Sequence, residues 1–285
     1  MRAALLLFCV CLLPGQKPEP AVYTYSGKPV ELTHPCGTKE IEDLGLVCTE
    51  EEPCPLFLEI AGVEAVASKI FLAGNFHTGA ATLASVLLVS EDEGRTWREA
   101  HPRLPGALLD QIQFVDFQTG FVSGNVAGSL ARDPFFLKTE DGGKTWRRLN
   151  VFDEGGYGVV GSFRFTSPAQ GTLVIEGPRG RARYRRMETM TGGESWMTKE
   201  VMDALPPAAK PAKGAPPPQP APASPWRLRG ENATRSLRLE RRDGPKWVTV
   251  TQFSLPAGAC KPDPARDIPP EPEPPAEPPK PVGKP

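Results

Sequence analysis

The sequence predicts an all-β protein, a small β-propeller or propeller-like array of about four four-stranded blades. Three observations predict it. An eight-residue pattern ending in tryptophan recurs, with Trp97, Trp146, Trp196 and Trp247 spaced by 49, 50 and 51 residues, a period typical of propellers and stacked arrays. Short β-rich runs separated by turn residues fill the intervals. Gly74, Gly124 and Gly177 mark a second register of about the same period, each read as closing a strand where the chain must turn.

The repeated pattern is SEDEGRTW at 90–97, TEDGGKTW at 139–146, TMTGGESW at 189–196 and, with only its end kept, ERRDGPKW at 240–247. In a tight hairpin Asp92 and Asp141 can turn a side-chain oxygen back onto nearby backbone N–H groups, and Gly94 and Gly143 supply positive φ. Ser90 and Thr139 offer hydroxyls to the other side of the turn. Trp97 and Trp146 restart the next strand with a ring that must be buried, so four similar pockets are expected. Gly193 with Trp196, and Gly244 with Trp247, hold the corresponding places in the third and fourth units.

The S/T-x-D-x-G-x-T-W pattern resembles the Asp box, or BNR repeat, of sialidases, sortilin-type receptors and the photosystem II stability and assembly factor-like proteins. The resemblance covers about residues 60–255. It implies that each box joins the third and fourth strands of a blade, away from the ligand-binding mouth, and so speaks to architecture more than to chemistry. Two boxes match well; Thr191 and Arg242 stand where the third and fourth should carry Asp.

In chain order, residues 1–16 (MRAALLLFCVCLLPGQ) place one Arg before an apolar run from Ala3 to Leu13. That run is too short to span a bilayer and suits a secretory signal, so export to a periplasmic or extracellular space is expected, with no transmembrane segment. Residues 17–55 form an N-terminal extension. With the leader removed, Cys36, Cys48, Cys54 and Cys260 remain, an even number that favours disulfides in an exported chain and allows three pairings. We favour Cys48 with Cys54 and Cys36 with Cys260, the latter tying together the two edges of the repeat region; zinc is disfavoured by the spacing.

Residues 56–260 hold the repeats. LFLEI (56–60), VEAVA (63–67), KIFLAG (69–74) and ASVLLVS (84–90) make the first unit, QIQFVDF, FVSG and PFFLKTE the second, and SFRFTS, TLVIEG and RYRRMET the third. A Pro/Ala/Lys insertion at 204–225 stands where the fourth unit should begin, leaving WRLRG, RSLRLERR and WVTVTQF, so that unit is expected to borrow a strand, with LFLEI the obvious candidate. Residues 261–285 form a Pro/Glu-rich tail, expected to be disordered.

No catalytic constellation stands out. The F/Y-R-I-P string that the resemblance would require of a sialidase is missing, about 200 residues cannot supply five or six blades, and Tyr184 with Glu188 on one strand is not a dyad. His34, His77 and His101 lack metal-ligand spacing, His77 and His101 being read as solvated loop residues. EGGYG at 154–158 lacks the basic residue and helix of a phosphate cradle. The formal charge of −1 gives no global field for nucleic acid. Locally, Arg181, Arg183 and Arg185, with Arg227, Arg229 and Arg238, could form an anion- or partner-binding patch on adjacent blades, or pair with Glu188, Glu231 and Glu240 on a solvated face.

The expected function is recognition of a protein or carbohydrate partner by an exported scaffold without cofactor or metal. A glycoside hydrolase with unrecognised residues is the alternative, and an assembly module tethered by the tail is a third.

Overall fold

Four antiparallel sheets and one six-residue helix make up the regular structure of the chain in the computed structural model, which describes residues 21–128, 130–178, 183–205 and 224–262. The expected leader, the tail beyond Pro262 and most of the Pro/Ala insertion lie outside the described residues. Strand β1 (Val22–Thr24) and helix α1 (Thr38–Asp43) precede the repeats. The first sheet is built from β2 (Cys54–Val66), β3 (Lys69–His77), β4 (Thr82–Ser90) and β5 (Thr96–His101). The second holds β6 (Ala107–Phe114), β7 (Gly120–Val126), β8 (Arg132–Thr139) and β9 (Arg147–Asn150), and the third β10 (Val159–Phe165), β11 (Gly171–Glu176), β12 (Tyr184–Thr189) and β13 (Met197–Met202). The fourth has three strands among the described residues, β14 (Trp226–Glu231), β15 (Ser236–Asp243) and β16 (Lys246–Ser254).

The chain ends meet on the first sheet. There β1 covers the edge of β5, and β17 (Pro256–Cys260) pairs with β2, extending the order to β1-β5-β4-β3-β2-β17. Cys260 lies opposite Cys54 in that ladder.

Two expectations about the strands are corrected. LFLEI and VEAVA are one strand, β2, with a bulge between Ile60 and Gly62, and LFLEI belongs to the first sheet, not the fourth. The fourth sheet instead receives a single parallel bridge from the N-terminal segment, where Val30 N–H donates to the Gln252 carbonyl at 2.7 Å. Gly74 and Gly124 do not end strands but lie within β3 and β7, opposite Ile60 and Leu109, at the bulges of the neighbouring strands. A Cβ on Gly74 would stand 2.3 Å from the Glu59 carbonyl oxygen, and one on Gly124 2.6 Å from that of Leu108. The period in the glycines is therefore a period of bulges, where an extra residue pushes one backbone against the next. Gly177, by contrast, follows β11 directly.

Packing sets the order of the sheets. One core joins the fourth sheet to the first through Leu239, Phe253, Leu58, Leu72 and Trp97; a second joins the first to the second through Ala73, Leu87, Leu109 and Val122; a third joins the second to the third through Phe121, Phe136, Leu149, Phe165 and Met187. The series runs fourth, first, second, third. Phe71 and Phe121 face the following sheet, and Thr172 holds the equivalent place in the third; Leu87 and Phe136 likewise give way to Arg186. Thr172 and Arg186 are exposed, and Arg186–Glu200 (3.3 Å) and Lys199–Glu188 (3.6 Å) ion pairs occupy that sheet. The fourth sheet carries Arg227–Glu240 (2.5 Å) and Arg238–Glu231 pairs on its outward face. Charged terminal faces of this kind cap a repeat array. The result is a propeller-like array of four sheets.

Candidate recognition surface

The boxes form one turn three times over. In the first, Ser90 Oγ donates to Asp92 Oδ1 (2.9 Å) and accepts from Gly94 N–H (2.8 Å), while Asp92 accepts from Thr96 N–H (2.8 Å) and Thr96 Oγ1 (2.7 Å). The second repeats this with Thr139, Asp141, Gly143 and Thr145, Asp141 also accepting from Lys144 N–H at 2.9 Å. The carboxylate thus reaches donors three and four residues on. In the third, the Thr191 hydroxyl takes that place, accepting from Ser195 N–H at 3.0 Å, while Gly193 N–H still finds Thr189 Oγ1 at 3.1 Å. Burial pushes the Asp141 carboxyl up, but the Thr145, Thr139 and Lys144 donors together outweigh it and hold the group at about 2. The same balance, with Thr96, Ser90 and Arg95 as donors, lowers Asp92.

Each of these three boxes is seated on the sheet before it. Trp97 meets Phe253 of the fourth sheet at 5.4 Å between ring centres, Trp146 meets Phe71 of the first at 5.9 Å, and Trp196 meets Phe136 of the second at 5.6 Å. The four rings do not share one setting. Trp97 is fully buried and its Nε1 donates to the Gly94 carbonyl, whereas the buried Trp146 and Trp196 indole nitrogens have no acceptor among the described residues. Among the described residues Trp247 has no preceding sheet to enter and nothing stands within 4 Å of a Cβ built on Gly244; the Trp247 ring lies instead under the Arg227 guanidinium, 4.2 Å from the ring centre.

Because strands alternate in direction, the β3–β4 and β7–β8 turns lie at the end remote from the boxes. There a cleft of about 710 Å³ opens between the 77–82 turn, residues Asp43 and Leu44 at the end of α1, Glu59 on β2, and Ala127 and Gly128. His77, expected in a loop, is the last residue of β3; it shares its Nδ1 with the Thr78 carbonyl (3.0 Å) and its ring lies 5.8 Å from that of Phe57. The Thr78 hydroxyl accepts from Ala80 and Ala81 N–H (3.1 and 3.0 Å), which folds the turn tightly and leaves small side chains at its rim. Glu59 is exposed on the same end of β2, and Asp43 is paired with Lys39 at 2.5 Å.

The cleft wall is anchored by the N-terminal segment. His34 bridges Glu40 on α1 (3.0 Å) and Arg103 (3.2 Å), stacks on Phe76 at 5.3 Å, and Arg103 continues to Glu99 (2.7 Å), which also accepts from Tyr23. Cys36 is bonded to Cys260 and Cys48 to Cys54, with Cα–Cα distances of 4.9 and 5.3 Å. Sequence reasoning missed the cleft because its residues, scattered from Asp43 to Gly128, share no motif. The small-residue run Thr78–Thr82 was its one local signal.

No family profile and no curated protein matches the sequence. Solved structures do resemble it. YCF48 from Cyanidioschyzon merolae aligns over 69% of this chain and 57% of its own, at 14% identity and a TM-score of 0.36. A mutant of Trypanosoma rangeli sialidase displaying trans-sialidase activity aligns over 70% of this chain and 39% of its own, at 12% identity and a TM-score of 0.34. Both are Asp-box β-propeller proteins. A protein of unknown function from Dyadobacter fermentans aligns over 74% and 85%, at 12% identity and a TM-score of 0.23. The chain thus spans little more than half of the first of these and well under half of the second.

The arginines are distributed over opposite ends of the series. Arg181 lies outside the described residues. Arg183 pairs with Glu176, and Arg185 lies 5.3 Å from the Phe152 ring centre. On the fourth sheet Arg227 and Arg238 pair with Glu240 and Glu231, and Arg229 makes no ion pair among the described residues. Glu188 pairs with Lys199 rather than with an arginine. Among the described residues, no group of three His, Cys, Asp or Glu side chains is placed to hold a metal, and no helix is long and apolar enough to cross a membrane.

Proposed function

We propose that this chain is an exported binding protein that recognises a protein or carbohydrate partner at the end of its sheets remote from the boxes. The observation that carries the reading is the cleft of about 710 Å³ beside His77, a size suited to a small ligand or a side chain of a larger one. Its walls come from four separate elements, and the α1 side is held by the His34 contacts to Glu40 and Arg103 and by the Cys36 bond, which limits the ordering that a partner must impose there. The polar rim of Glu59, His77 and backbone groups offers hydrogen bonds, and the His77 ring, set against Phe57 behind it, an apolar contact. Two cysteine pairs fit an oxidising compartment, in keeping with the apolar leader at the N-terminus.

The test is binding of the purified protein to panels of glycans and peptides, and capture from the exported fraction, with Ala80→Trp and His77→Ala as cleft variants. Loss of the same partner in both, with the fold intact, supports the reading. Retention in both removes the cleft from recognition. The carboxylates of Asp43 and Glu59 at one cleft are the reason to include glycoside turnover in the same panel.

A further inference from the structure

The fourth sheet is an island of positive charge in a slightly acidic chain. Between Trp226 and Ser254 there are seven basic and three acidic residues, a net charge of +4 in a protein of net charge −1. The ladder places Arg229 directly opposite Arg238, Arg227 opposite Glu240, and Arg242 opposite Trp247. Since Arg227 covers the Trp247 ring, these side chains share the outward face, away from Leu228 and Leu239, which pack with the first sheet. Glu240 and Glu231 compensate Arg227 and Arg238. Arg229 has no carboxylate among the described residues, and like charges directly opposite one another destabilise a ladder unless a counter-charge is supplied. Arginine and tryptophan together on an open face are the side chains that dominate binding hot spots.

We propose that this face docks the acidic stretch 267–277 of the chain's own C-terminal segment, independently of the cleft. That stretch, DIPPEPEPPAE, carries Asp267, Glu271, Glu273 and Glu277 and no basic residue, so its −4 is opposite in sign to the net +2 of the outward face, where Arg227, Arg229, Arg238 and Arg242 stand with Glu231 and Glu240. It is also tethered close by. β17 holds the chain as far as Cys260, on the sheet that packs against the fourth, and Asp267 is seven positions further on, a reach of at most about 25 Å. Tethering raises the effective concentration to the millimolar range, so weak individual carboxylate–guanidinium contacts suffice.

The test uses the full chain. Zero-length carbodiimide coupling joins carboxylates to amines, and Lys246 is the one lysine of the fourth sheet. The expected result is coupling of Lys246 to Glu271, Glu273 or Glu277, independent of protein concentration, with a yield that falls about fivefold when salt is raised from about 0.05 to about 0.5 M. A similar fall is expected in Arg229→Ala/Arg242→Ala, whose melting should be unchanged. In a second variant, with those three glutamates replaced by Gln and the sheets untouched, iodide quenching of indole fluorescence should rise. Absence of Lys246 coupling, yields indifferent to the arginine substitutions, or quenching unchanged by the glutamine variant would overturn the proposal. Coupling that grows with protein concentration would do so too, since it would put the tail of a second copy on this face.

Discussion

Gly143 of the second box is held against Phe71 of the first sheet so closely that a Cβ on the glycine would lie 2.4 Å from Phe71 Cζ. With φ at +81°, Gly143 is constrained twice, by its own backbone and by the neighbouring ring. Gly143→Ala is expected to cost about 2–4 kcal/mol in denaturant unfolding. Gly244→Ala, at φ +57° with nothing within 4 Å among the described residues, should cost about 1 kcal/mol. Equal costs would show that the seat on Phe71 carries no energy of its own.

The turn carboxylate offers a second measurement. Asp141→Ala removes an acceptor shared by Thr139, Thr145 and Lys144 and should cost about 1–2 kcal/mol, the residue being half-buried. Thr191→Asp, which restores the second oxygen to the third box, should stabilise by about 0.5–1 kcal/mol. As the folded pKa of Asp141 is about 2 against the ordinary 3.8, its contribution is complete above that ordinary value and is lost as pH falls toward the folded one. Acid melts of the wild type and Asp141→Ala should converge over that window.

Glu64 acts with the opposite sign. Burial on β2, in the ladder beside Phe71, raises its carboxyl to about 7. The folded state then favours the protonated form, so stability should decline as pH rises from the ordinary value of 4.5 through about 7. Glu64→Gln should abolish that part of the decline, with thermal melts at about pH 5, 6, 7 and 8 as the readout. Parallel pH curves for the two proteins would rule it out.

The two disulfides should contribute unequally. Cys36–Cys260 closes a separation of 224 residues and Cys48–Cys54 one of 6, which in the chain-entropy account gives about 5 and about 2 kcal/mol. Cys36→Ser/Cys260→Ser should therefore lower the unfolding midpoint more than Cys48→Ser/Cys54→Ser. It should also raise amide exchange in α1, since Cys36 lies just ahead of that helix.

Local chemistry was legible in the sequence where a side chain and its target lie within one turn. Ser90, Asp92, Gly94 and their counterparts form their bonds within a few residues of themselves, so spacing alone described the turn. Strand content was legible for the same reason. What the spacing could not carry was any relation set by a distant partner. Gly74 and Gly124 looked like strand ends because their bulged neighbours, at Ile60 and Leu109, are set only by strand pairing. Trp247 looked equivalent to Trp97 because nothing in its box reports that no sheet precedes it among the described residues. The cleft joins α1, β2, two turns and the N-terminal anchor, and each of those contacts depends on the chain already being folded.

The rule that the first three boxes sit on the preceding sheet, with charge on both outward faces, makes the interior joins interchangeable and the two ends not. A duplicated unit inserted after the second sheet would find a phenylalanine-lined seat waiting and would offer the same seat onward. One appended beyond the third would meet Arg186 and Glu188 instead. The length of such a protein is thus free to change in its middle while its limits stay written in the side chains of its last sheets.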